Sequence, residues 1–325
     1  MKKLILSDYS SANIGNNVEI SCEEFLCTGS FTVGDNVVMR AKKIMLGNNA
    51  KVDADVTIRG LREEMDEFSM GDESLIGFKT QVLVPSFSIG DYSQIFNSSL
   101  VSGYKPVTIG HNCWIGQGAI LNSAETLRLG NNVRMGGSQI WTHVASGELL
   151  EGSNFYNEQP VTIEDDVWLM GFGHTIVPGV TLKKKSVIMA GSVVTRSTEE
   201  NKTYSGIPAI DVSDKLPAWQ PLSLDQKFEK LKQFTEEFVA ECPKYKRRVF
   251  CFDDVSDDQV DMVIASTEPV LIFFKQADLN DYHQSPHTIF DLATKSYTKR
   301  RTDIEVDWVK FAVGFRARFI TFQYI

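Results

Sequence analysis

A three-sided parallel β-solenoid over the first two thirds of the chain, followed by an amphipathic helix and a small α+β domain, is the fold class that the sequence predicts. Three observations predict it: aliphatic residues recur at every sixth position, a glycine turn follows most of them, and interruptions of the period fall at one recurrent boundary. The chain has 325 residues, enough for about two domains with cores of their own. Lys and Arg total 33 against 42 Asp and Glu, so a net charge of −9 gives no global field toward nucleic acid or an anionic bilayer. The five cysteines form no Cys-x-x-Cys pair, and their odd number suits a reducing, cytoplasmic compartment better than a disulfide framework. No run approaches about 18 uncharged apolar residues, so no membrane span is expected. The first residues turn polar too soon for a signal peptide.

The segments that start at Ile14, Val33, Leu46, Met70, Ile76, Ile89, Ile109, Ile115, Leu129 and Met135 all read aliphatic, glycine, two variable residues, then a small or β-branched residue. Extending that frame gives Ile14, Ile20, Leu26; Val33, Met39; Leu46, Val52, Ile58; Met70, Ile76, Val82; Ile89, Ile95, Val101; Ile109, Ile115, Leu121; Leu129, Met135, Trp141; Ile163, Leu169, Ile176; and Leu182, Ile188, Val194. A period of six is neither helical nor that of a plain strand. It arises when a short strand of period two is followed by a turn whose glycine or asparagine accepts positive φ, so that one aliphatic side chain per hexad points inward. Three such hexads return the chain to its starting corner one strand spacing, about 4.8 Å, farther along. About nine triangular coils over residues 7–196 follow, with residues 2–6 capping one end. Steps after Ile58, Val82, Val101, Leu121 and Trp141 are 12, 7, 8, 8 and 22 residues, all at the same triplet boundary. Repeat proteins gather insertions on the face that binds, which directs attention to the loop 142–162.

After residue 200 prolines and small residues replace the repeat and mark an exit. Leu224, Phe228, Leu231, Phe234 and Phe238 then recur at helical spacing between a Ser223 N-cap and a Pro243 stop, which predicts one amphipathic helix. Strand-like runs at 248–252, 269–274 and 315–322, with helices near 256–265 and 304–312, complete a small α+β unit. His283, His287 and the basic run Lys299, Arg300, Arg301 are expected there as loop and surface residues. The division is a solenoid domain 1–212 and a C-terminal domain 213–325.

The hexads, the single long loop after Trp141 and the run from Val161 to Thr195 together resemble the left-handed β-helix acyltransferases of the hexapeptide-repeat class, among them the sugar O-acetyltransferases and the nucleotide-amino-sugar N-acyltransferases. The resemblance covers about residues 7–212. It implies a left-handed coil and a homotrimer with acyl-CoA lying between neighbouring prisms. Asp165, Val167, Trp168 and Leu169 match the family's Asp-x-x-Trp-[Ile/Leu]-Gly segment, but Met170 stands where glycine is usual and one residue is inserted before Pro178, so a bulge is expected near Gly171 or Gly173. The run Ala190, Gly191 to Arg196 matches the segment beside the pantetheine arm and 3′-phosphate. Gly206-Ile207-Pro208-Ala209 matches the exit turn near the adenine, with Ile210 in place of the customary lysine.

The implied reaction is transfer of an acetyl or short acyl group from acyl-CoA to the amine of a nucleotide-linked amino sugar, in surface polysaccharide or lipopolysaccharide assembly. O-acetylation of a sugar and a non-catalytic β-helix scaffold are the alternatives. Acyl transfer from a thioester needs a base for the acceptor and a donor for the developing oxyanion. Imidazole suits the base because it titrates near neutral pH. His143 resembles the family's base, and Glu158 is a candidate to orient it through the other ring nitrogen. Trp168, Gly171, Gly173, His174, Lys183, Ala190, Gly191, Arg196 and Pro208 are the cofactor candidates. Asn154, Tyr156 and Asn157 are candidates for sugar hydroxyls. No metal is expected for the chemistry, because His111, His143 and His174 lie 32 and 31 residues apart with no close pair.

Overall fold

The computed structural model describes residues 2–3, 12–255 and 258–323, and it divides into two compact units, Met1–Trp219 and Gln220–Ile325. In the first unit the chain visits three faces in turn and stacks a parallel strand on each at every pass. The first face runs from Ala12–Ile14 to Thr203–Gly206, the second from Glu19–Cys22 to Val193–Val194, and the third from Glu24–Cys27 to Thr181–Leu182. Antiparallel pairing occurs at the ends, where Lys2–Lys3 lies on the second face and Ala209–Asp211 closes the first. The first corner expected from residue 7 lies outside the described residues.

Ile76, Ile115 and Ile188 are fully buried, and the same rows of Ile, Val, Leu and Met fill the prism from end to end. The corners explain the sequence between them. Asn17, Asn36, Asn49, Asn112 and Asn132 all take positive φ, the conformation that asparagine tolerates better than most residues. Side chains one residue earlier tie successive coils together: Asp72 accepts the Asn48 N–H at 2.7 Å, Asp91 that of Asp72 at 2.8 Å, His111 Nδ1 that of Asp91 at 3.0 Å, Asn131 that of His111 at 2.9 Å, and Asp165 that of Asn131 at 2.7 Å. His111 is thus a rung of a corner ladder.

Two inward positions differ from the period. Leu26 is 46% exposed, because the Glu24–Cys27 strand pairs Phe25 with Ile44 and Cys27 with Leu46 and turns Leu26 outward. Ile140, not Trp141, continues the row below Leu121, because the Gly136-Gly137 turn is one residue short and a shift of one flips a strand's faces. Every long step joins a second-face strand to the next third-face strand, so the insertions do share one edge.

In the second unit, α1 (Leu224–Glu241) begins with a capping box in which Ser223 and Gln226 exchange side-chain and backbone bonds. It buries Phe228, Leu231, Thr235 and Phe238, with Thr235 in a place where the pattern favoured Phe234. A five-stranded sheet runs Val249–Phe252, Leu271–Phe274, Thr288–Asp291, Ser296–Tyr297, Ile320–Thr321 in spatial order. α2 (Asp258–Ile264) joins the first two strands and α3 (Asp303–Ala312) the last two. The run 315–322 supplies only the two-residue strand Ile320–Thr321, while Thr288–Asp291 and Ser296–Tyr297 were not legible as strands. His287 is not a surface residue: it is fully buried, and its Nε2 lies 3.0 Å from the Ile264 carbonyl.

Candidate active site

The loop 142–162 is a β-hairpin, with His143–Ser146 antiparallel to Phe155–Glu158. The register sets His143 opposite Glu158 at its base. His143 Nδ1 lies 2.9 Å from Asn122 Oδ1. An amide oxygen only accepts, so Nδ1 carries the proton and Nε2 is the basic nitrogen. Thr142 Oγ1 also donates to Asn122 Oδ1 at 3.1 Å, and Glu125 N–H donates to Thr142 Oγ1 at 3.0 Å. The imidazole is therefore fixed from the coil above, and the Trp141 ring meets it edge-on at 6.2 Å between centroids.

The orienting contact expected of Glu158 is made by Asn122. Glu158 Oε2 instead accepts the Tyr156 hydroxyl, a bond that raises the phenol above its ordinary pKa. Asn122 was missed because it belongs to the previous coil. Its sequence signal is a polar residue directly after the inward Leu121, about one coil before His143. Asn154 and Tyr156 are exposed on the hairpin and Asn157 is half-buried.

The corner between the first and second faces carries Gly171, Gly173, Ala190 and Gly191, while Lys183 lies in a turn between the third and first faces and Arg196 follows the last second-face strand. Residues 116–118, 136–137, 170–173 and 189–191 stack at that corner, with Gly173 N–H on the Gly137 carbonyl and Gly191 N–H on that of Phe172, both at 3.0 Å. Gly171 and Gly173 both have φ of +82°. The extra residue swings out as a bulge and leaves Met170 and Phe172 47% and 64% exposed. A Cβ on Gly118 or Gly191 would stand in open space, whereas the Phe172 ring covers Gly137, so the corner is open at the first two positions and closed between them. Ala190, Gly191, Arg196 and Pro208 are exposed and Trp168 is half-buried.

His174 does not reach this corner. It is fully buried, shares a 2.9 Å hydrogen bond with Ser138 through Nδ1, and its Nε2 has no hydrogen-bond partner among the described residues. Burial lowers its pKa, against the carbonyls of Met170, Ile188 and Met189. Lys183 pairs with Glu164 at 2.8 Å, which holds that carboxyl below its ordinary pKa. A surface groove of about 430 Å³ is lined by Glu164 of that pair together with Arg128 and Lys184, and His143 is not part of its lining. No helix of the described residues is long and apolar enough to cross a membrane, and no group of three or more metal-ligating side chains occurs among them.

Residues 160–196 match the profile of the hexapeptide repeat of succinyl-transferase. The galactoside O-acetyltransferase of Lactococcus lactis is 36% identical over 110 residues, covering 31% of this chain and 52% of that protein, so the chain spans about half the length of that relative. The galactoside O-acetyltransferase of Escherichia coli is 27% identical over 148 residues, covering 44% of this chain and 72% of that protein. Among solved structures, a hexapeptide-repeat-containing acetyltransferase of Vibrio cholerae is 27% identical and covers 42% of this chain and 71% of that one, with a TM-score of 0.28. By its repeat and by these relatives, the chain resembles the hexapeptide-repeat acyltransferases, sugar O-acetyltransferases among them.

Proposed function

We propose that the protein is an acyl-CoA-dependent acyltransferase acting on a sugar hydroxyl. The observation that carries this reading is the imidazole of His143, held in one tautomer by Asn122 at the base of the inserted hairpin. An amine acceptor is already a nucleophile once neutral, whereas a hydroxyl needs a base in the transition state, and an oriented imidazole supplies it. Relatives named galactoside O-acetyltransferases favour the same acceptor. The nucleotide-linked amino sugar is the second reading, and the resemblance to N-acyltransferases favours it.

Bound acyl-CoA supplies the acyl group as a thioester. The strip of Gly171, Gly173, Ala190 and Gly191 fits an extended pantetheine arm, because no side chain stands over Gly191. Arg196 supplies charge for phosphates, while Lys183 is occupied by Glu164, and Trp168 and Pro208 are the remaining cofactor contacts in this reading. His143 Nε2 takes the acceptor proton as the new C–O bond forms, and returns it to the departing thiolate. Asn122 keeps Nδ1–H occupied throughout. Asn154, Tyr156 and Asn157, with Glu158 fixing the Tyr156 hydroxyl, present hydrogen-bonding groups to the sugar. The coil is left-handed, and three chains assemble with their sites between them. Residues 1–212 hold the acyltransferase site, and the domain 213–325 is appended to it.

A panel of acetyl-, propionyl- and 3-hydroxybutyryl-CoA crossed with galactosides and nucleotide-linked 3- and 4-amino sugars, read by thiol release and product mass, tests this. Hydroxyl acylation is the expected result; products acylated only on nitrogen move the assignment to the second reading, and no turnover with any pair overturns both. His143→Ala is expected to lower kcat by about 10² to 10⁴ with CoA affinity unchanged. Asn122→Ala lowers kcat less, and Asn122→Asp, which keeps an acceptor, recovers much of it.

A further inference from the structure

The edge that carries the hairpin holds a second cleft that the reaction above does not use. It has a volume of about 190 Å³ and is lined by Leu61, Arg62, Glu63, Pro85, Gly103 and Tyr104. Tyr104 is 50% exposed, and the Arg62 guanidinium lies 5.0 Å from its ring centroid. Both walls depend on glycine. A Cβ on Gly60 would come within 1.7 Å of the Glu63 carbonyl oxygen, and one on Gly103 within 2.2 Å of Ser123 backbone. The tight curl of 60–63 and the close seating of Tyr104 on the next coil are therefore built in.

The register relates this cleft to His143. Gly103 pairs with Ser123, and Leu121 with Ile140. Counted on from those pairs, Tyr104, Ala124 and His143 occupy the same position in three successive coils. Tyr104 N–H donates to the Ser123 carbonyl at 2.8 Å, and Glu125 N–H to Thr142 Oγ1 at 3.0 Å, which binds the three loops together. The axial separation of Tyr104 and His143 is two strand spacings, about 9.6 Å. Between them stands Ala124, the smallest chiral side chain, so nothing bulky rises from that position.

We propose that the Arg62–Tyr104 cleft is an acceptor subsite for a second pyranose ring, so that the acceptor is an oligosaccharide lying along the insertion edge with its reacting sugar at His143. The part of the phenol ring left exposed beside the guanidinium offers apolar surface to the C–H bonds of a sugar. The guanidinium and the carboxylate of Glu63 offer a donor and an acceptor for its hydroxyls. Glu63 also argues against a diphosphate in the same place. The inference rests on the sugar acyltransferase reading and extends it from a single sugar to a chain.

The test compares galactose with β-1,4-galactotetraose on the full-length protein. With acetyl-CoA, kcat/KM for the tetraose is expected to exceed that for galactose by about tenfold, the size of one good contact. Tyr104→Ala and Arg62→Ala should bring the ratio close to one and leave galactose turnover unchanged. A ratio unaffected by Tyr104→Ala overturns the proposal while leaving the acyltransferase reading intact. If neither sugar is acylated, binding decides: in protein labelled with 3-fluorotyrosine, the Tyr104 fluorine signal, assigned by Tyr104→Phe, should move with tetraose. Movement with uridine diphosphate but not with tetraose, or with neither, overturns the subsite.

Discussion

His174 and Glu305 show how burial turns a titratable side chain into a pH term of definite sign. His174 sits inside the solenoid bonded to Ser138, and burial depresses its pKa below the ordinary 6.5. Below that value the unfolded chain binds a proton that the native imidazole refuses. The contribution is fully present above about pH 6.5 and is lost as pH falls. Glu305, the residue at which the first turn of α3 accepts bonds from Thr288 Oγ1 and the Arg300 and Arg301 N–H groups, is pushed up from 4.5 by burial. Its contribution runs the other way: it is whole below 4.5 and is lost as pH rises toward the elevated native value. Thermal melts between pH 7 and 5 should show wild type losing ground to His174→Gln as the solution acidifies. Parallel curves for the two proteins would contradict a neutral buried imidazole. Neither burial is legible in the sequence, where His174 is a cofactor candidate and no pattern singles out Glu305.

Among the elements, the bulge at residues 170–173 carries the most consequence. A missing family glycine and one extra residue made it legible, because a hexad with seven residues must expel one from the corner. That Phe172 goes outward and His174 inward follows from Gly171 and Gly173 both adopting φ of +82°. Gly171→Ala forces a side chain into that region and sets its Cβ 3.0 Å from that of Ala190. A cost of about 1 to 2 kcal/mol is expected, seen as a Tm lower by a few degrees, with weaker CoA binding by calorimetry. Wild-type CoA affinity in a folded Gly171→Ala protein would remove this corner from the cofactor strip. The hairpin 143–158 was legible only as a long insertion. Its two strands lack a period that separates them from a loop, and pairing across the Gly147 to Gly152 turn decides them.

For the whole molecule, a sedimenting mass three times the 36.4 kDa chain is expected, and a chain ended at Trp219 should keep acyl transfer, since every residue assigned to the site precedes that boundary. Full loss of turnover in a folded 1–219 protein would place part of the site in the second unit. The sequence by itself determined the prism, because one inward aliphatic per six residues is a local constraint repeated until only one winding buries them all. It also determined the insertion edge and the place of His143. Only the tertiary structure decided that Ile140 and not Trp141 faces inward, and that Asn122 and not Glu158 holds the imidazole. Each of those contacts joins residues about one coil apart, and their alignment depends on the summed lengths of the turns between them, which a repeating pattern does not encode.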